Sequence, residues 1–184
     1  MKYTLIFLFA LIMLVFSGCK KSDDDPQAPE IEFGGFNYLE VDASGVVQRV
    51  DLIVKFKDIN GDIGRRESEL NDNCGKSIND LFIYYEIFDN GNFKPFLQAV
   101  NDTILDANCN IVEIKDTIQF NLNHSVQFVQ PEGNNKSIEG EMKYTMNFLS
   151  ELLGLPAHGR FRIYLVDRAG NKSNEVFTDD FIIR

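Results

Sequence analysis

Asp58-Ile59-Asn60-Gly61-Asp62-Ile63-Gly64 is the segment whose residue types and spacing best suit chemistry. Calcium takes several hard oxygen ligands from one tight loop. Asp58, Asn60 and Asp62 fall at positions one, three and five of a twelve-residue calcium loop, and Glu69 falls at position twelve, the place of its bidentate carboxylate. The departures are Ile63 at the position that needs glycine, Arg66 at position nine, and a strand rather than a helix entering the loop. They favour the alternative, a polar Gly-rich turn that leaves a strand. Cys74 and Cys109 each sit in an Asn- and Asp-rich loop. Their options are a disulfide, two lone thiols or half of a metal site; with only two histidines, far away in sequence, zinc is the poorest of these. His124 lies in a polar loop and His158 in an Ala-His-Gly turn, and both read as solvated rather than catalytic. No Gly-x-Ser-x-Gly elbow, His-Glu-x-x-His pair or phosphate-binding glycine loop occurs, so no enzyme is expected.

The N-terminus sets the compartment in which those groups work. Lys2 precedes an apolar run from Leu5 to Phe16, and small Ser17-Gly18 lead to Cys19 and a charged stretch. Twelve apolar residues are too few for a span of ~20 but suit the core of a cleaved export signal. Phe16-Ser17-Gly18-Cys19 resembles the lipobox of bacterial lipoproteins, with Phe16 in place of the usual leucine. That resemblance implies a diacylglycerol on Cys19, a membrane tether through it, and a signal peptide over 1–18. Lys20, where an aspartate would hold such a protein at the inner membrane, implies the outer membrane. Ser22-Asp23-Asp24-Asp25 resembles the acidic surface-export signal of Bacteroidota lipoproteins; the plainer reading is a solvated tether. In the oxidising space beyond the inner membrane, Cys74 and Cys109 read as a disulfide.

The mature chain would hold 166 residues, one domain by length. Without Lys2 it carries 17 basic against 28 acidic residues, a net charge of −11. Such a surface repels nucleic acid, whose binding rests on Lys and Arg neutralising phosphates. Sixteen Phe and no Trp favour strands. Residues 19–30 read as a tether, and the domain spans 31–184. Period-two alternation recurs at Ile31 and Phe33, at Val50 to Phe56, at Ile138 to Met146 and at Phe161 to Leu165. Leu81 to Phe88 is apolar on both faces and should be central; Asp89-Asn90-Gly91-Asn92 turns into Phe93 to Leu97, where Pro95 demands an edge. Thr117 to Leu122 and Val176 to Ile183 add strands, and only Asn147 to Leu155 looks helical. The expectation is all-β: an antiparallel sandwich of seven to eight strands with long loops and one short helix.

Phe161-Arg-Ile-Tyr-Leu-Val-Asp-Arg-Ala-Gly-Asn-Lys-Ser-Asn174 resembles the final hairpin of immunoglobulin-like and fibronectin-like domains. With Asp58 to Gly64 and Asn135 to Glu141, it is similar to Bacteroidota lipoproteins built on one such sandwich. The inter-sheet cysteine pair and buried tryptophan of antibody domains are missing. Asp102-Thr103-Ile104 and Asp116-Thr117-Ile118 match the short O-glycosylation sequon of exported Bacteroidota proteins, which implies glycans on Thr103 and Thr117; Thr117 pointing into a strand is the alternative. Residues 58–80 and 98–111 read as connections long enough to be functional. The expected function is a lipid-anchored, non-catalytic module that binds a protein or glycan through these loops. The alternatives are an accessory subunit of an outer-membrane barrel complex or transporter, and a glycan-binding or glycan-processing lipoprotein.

Overall fold

The computed structural model describes residues 27–43, 47–131, 136–147, 154–156 and 158–182. The apolar segment 5–16, Cys19 and the acidic run lie outside them, as does the core of the expected helix; Asn147 ends a strand, and Gly154 and Leu155 lie in a turn and bend. Among the described residues there are ten strands: β1 (Glu30–Val41), β2 (Val47–Asp58), β3 (Leu81–Asp89), β4 (Asn92–Pro95), β5 (Leu97–Leu105), β6 (Ile111–Gln119), β7 (Ile138–Asn147), β8 (His158–Leu165), β9 (Val176–Phe177) and β10 (Phe181–Ile182).

One sheet has the order β1-β2-β7, and the other β10-β8-β3-β4, with β9 also on β8. All their pairings are antiparallel. Val50, Leu52, Val54 and Phe56 alternate on β2 and face Ile83, Tyr85, Phe161 and Ile163 of the second sheet within one buried cluster. This is the immunoglobulin-like sandwich: β1, β2 and β7 take the places of strands A, B and E, while β3, β8 and β9–β10 take those of C, F and G. Apolar residues on both faces of β3 put it between β8 and β4, and Pro95 lies on the edge strand β4.

The count exceeds seven or eight for two reasons. The closing strand breaks into β9 and β10 around Thr178, whose hydroxyl turns inward to accept from the Phe161 N–H at 3.0 Å. The expected connection 98–111 is instead a ribbon, with β5 and β6 as a separate two-stranded sheet. Its alternation was hidden by a register shift between Ala99 and Asp102, where Val100 and Asn101 stand against the single residue Asp116. After the ribbon the chain returns along β3, where Leu122 N–H reaches Ile83 O and His124 N–H reaches Leu81 O.

Among the described residues Tyr85 is the largest fully buried side chain, and its hydroxyl donates to Pro156 O at 2.6 Å. Burial pushes that hydroxyl up to about 12. Its hydroxyl and the adjoining ring edge lie where a Cβ on Gly159 would stand, 2.2–2.4 Å from the added carbon. Gly159→Ala should therefore force Tyr85 aside and cost about 1–3 kcal/mol, as overpacking does. Urea unfolding measures it; a loss below ~0.5 kcal/mol would show that the ring has room to move.

Candidate binding cleft

The connection from Asp58 to Asp80 is long but heavily tied. The buried Asp58 carboxylate accepts the N–H of Asn60 at 3.0 Å and of Asp62 at 2.8 Å, fixing a turn at the end of β2. Gly61 and Gly64 have φ of 65° and 82°, and a Cβ at either would strike the Lys136 or the Gln127 carbonyl. Ile63 between them is fully buried and pins the turn to the core. Arg65 then runs beside the return segment: its N–H donates to Val126 O at 2.8 Å, and its carbonyl accepts from Phe128 at 3.0 Å. Its Nε donates to Asp80 Oδ1 at 2.7 Å, while Asp80 Oδ2 accepts the Val126 N–H at 3.2 Å. Asp80 is fully buried; that burial raises its pKa, and Arg65 opposes the rise.

The space between this connection and segment 123–128 is an open cleft of about 950 Å³, lined among others by Arg66, Asn71, Ser77, Asn79, His124 and Gln127. Its size matches small-molecule sites, and most of the residues that line it carry polar or charged side chains. Phe128 forms part of the wall, with the Arg66 and Arg168 guanidinium groups 5.0 and 5.3 Å from its ring. Glu69 accepts the Arg66 N–H at 3.0 Å and Arg168 Nη2 at 2.8 Å. That backbone hydrogen bond, aided by the arginines, holds its carboxyl below the usual range. His124 has its ring 5.5 Å from that of Tyr144. His158 is elsewhere, bound to Asp180 at 2.7 Å.

Of the calcium-type residues, the structure gathers Asp58, Asn60 and Asp62 into one turn and turns Glu69 to a different task. Asp58 spends both oxygens on backbone N–H groups, Glu69 caps a single 3-10 turn (Glu67–Glu69), and the Asn60 amide donates to Gln27 O at 3.3 Å. Asp167, read from sequence only as part of a hairpin turn, joins Asp58 and Asp62. It is buried, accepts Asn171 N–H at 2.7 Å and Nδ2 at 2.8 Å, and acts electrostatically on Asp62. Asp62 Oδ1 is buried without a hydrogen-bond partner. Burial first, then Asp167 and Asp58, raise the Asp62 pKa. Among the described residues no group of three or more His, Cys, Asp or Glu is arranged to hold a metal ion.

A raised carboxyl pKa means that the folded state favours the protonated form, so the penalty is absent below the unfolded value of ~3.9 and complete above the folded one. Asp62→Asn should therefore raise the melting temperature at neutral pH, and the gain should shrink as pH falls toward ~4. Equal melting of the two proteins at neutral pH would contradict the repulsion. Repeating the melts with millimolar calcium against a chelator tests the calcium reading, under which wild type rises and Asp62→Asn does not.

Cys74 and Cys109 are bonded, with Cα atoms 5.4 Å apart. The bond joins two Asp-built turns: Asp72 accepts the N–H of Cys74 and Lys76, both at 2.8 Å, and Asp106 accepts those of Asn108 at 2.8 Å and Asn110 at 2.9 Å. It thereby ties the tip of the β5–β6 ribbon to the wall of the cleft. Thr103 and Thr117 both lie on this ribbon, Thr117 exposed and Thr103 half-buried, with the Thr103 carbonyl accepting from Lys76 Nζ.

The outer face of β3 and β8 carries an aromatic ladder. Phe82 and Tyr164 lie 4.7 Å apart with planes 12° from parallel, and Tyr84 is 6.0 Å from Tyr164. Arg162 covers Tyr84 and Lys172 covers Tyr164. The rings of Tyr84 and Tyr164 thus face aromatic neighbours and cations. No protein-family model, curated protein or solved structure gives a significant match to the chain.

Proposed function

We propose that the chain is exported and acylated at Cys19, and that the tethered sandwich is a non-catalytic binding module of the outer membrane, displayed at the cell surface. The cleft braced by Arg65–Asp80 and by the disulfide is its binding surface. The observation that carries this reading is where the tether enters: Glu30 pairs with Lys57, and Asn60 holds Gln27 O, so the chain arrives at the cleft-bearing end. Residues 19–29 can extend ~36–40 Å at most, which keeps the cleft near the bilayer that anchors Cys19. That proximity favours a protein partner in the same membrane, such as a barrel subunit, over a distant soluble glycan.

Affinity capture from detergent-solubilised membranes tests the reading, comparing wild type with Arg66→Glu, a change at an exposed position on the cleft wall. The expected result is one stoichiometric membrane partner with wild type and its loss with the variant. Equal recovery with both proteins, or glycan-array binding with no protein partner, would contradict it.

A further inference from the structure

We infer that the outer edge of β6 is a docking surface for a second copy of this chain, paired antiparallel about Ile114 into a four-stranded β5-β6-β6-β5 sheet. The inference is independent of the cleft. A two-stranded ribbon is marginal alone in water. This one leaves Ile111, Val112 and Ile114 58–61% exposed on β6, and Leu97 60% exposed on β5. The outer edge of β5 is engaged, because Lys76 donates to the Thr103 carbonyl and pairs with Asp102. β6 has no strand on its other side among the described residues.

The sequence of β6 selects the occupant. A two-fold axis normal to the sheet pairs residues antiparallel and keeps each on its own face. Centred on Ile114, it sets Glu113 opposite Lys115 of the second copy, twice, and Ile114 opposite itself. Ile111 then meets Thr117, and Val112 meets Asp116. Shifting the centre by one residue puts Glu113 against Glu113 or Lys115 against Lys115, and like charges directly opposite are unfavourable. Only the Ile114 register combines opposite charges with an apolar centre.

In the full-length chain expressed in cells, Ile114→Cys should form a self-linked dimer on oxidation, since directly opposed Cα atoms lie ~4.5–5.5 Å apart, within disulfide range. Ile111→Cys and Leu97→Cys, equally exposed, are the controls: two copies of position 111 would stand roughly 20 Å apart. Peptide mapping must find Cys74–Cys109 intact in all three. Glu113→Lys, made in the Ile114→Cys background, should weaken association about tenfold. Adding Lys115→Glu, which restores opposite pairs with reversed sign, should recover it. Equal linking at positions 97, 111 and 114, failure of the charge swap to recover, or linking of position 114 only to a different protein would each overturn the inference.

Discussion

Replacing Arg65 with alanine should cost roughly 3–5 kcal/mol of stability at neutral pH, the range for removing one partner of a buried ion pair. Asp80 is fully buried, and its two oxygens are held by Arg65 Nε and the Val126 N–H. Without Arg65 one carboxylate oxygen loses its charged donor in a place water does not reach. Burial already raises the Asp80 pKa with Arg65 present, and removing the guanidinium raises it further. The deficit of the variant should therefore be largest at neutral pH and shrink as acidification protonates Asp80 in the folded state. Asp80→Asn should cost less, about 1–3 kcal/mol, because the amide oxygen can still accept from Val126 and Arg65 is partly exposed. Urea unfolding of the three proteins at neutral and mildly acidic pH measures both points. A cost for Arg65→Ala below ~1 kcal/mol would class the pair with surface salt bridges, which contribute little.

Removing the disulfide should have an effect of similar size. Cys74 and Cys109 are separated by 35 positions, and the chain-entropy account gives roughly 3–4 kcal/mol for closing such a loop. That loop contains β3, β4 and β5, so its closure constrains the strand at the centre of the second sheet as well as the ribbon. Cys74→Ser with Cys109→Ser should lower unfolding stability by that amount. Hydrogen exchange should locate the first loss in β5 and β6, because a two-stranded ribbon has little stability of its own. Unchanged ribbon protection in the double variant would show that Lys76 and the return segment suffice to hold it.

How much of this was legible in the sequence depended on whether a residue's role is local. Val50 to Phe56 and Phe161 to Leu165 alternate because one face of each strand is buried, and both were read correctly. The disulfide was expected from the two cysteines, their loops and the compartment that the N-terminus suggests, and the two are bonded. The ribbon was not legible, because a register shift broke its alternation and because its apolar residues mark exposed rather than buried positions. Nothing in the sequence pairs Arg65 with Asp80; the return of segment 123–128 across β3 brings them together. The Asp58 turn was recognised as chemically suited, yet the residues that decide its electrostatics come from both the connection after β2 and the β8–β9 hairpin, where Asp167 is more than a hundred positions away. Glu69 satisfied a spacing rule, and Arg168 and the Arg66 N–H gave it another use.

The proposed lipid anchor at Cys19 is tested by the intact mass of the N-terminal peptide from membrane-extracted protein. The peptide should begin at Cys19 and carry diacylglycerol and acyl mass, and Cys19→Ser should leave the protein unprocessed or released from the membrane. A membrane-extracted peptide that retains residues 1–18, with an unmodified Cys19, would contradict it.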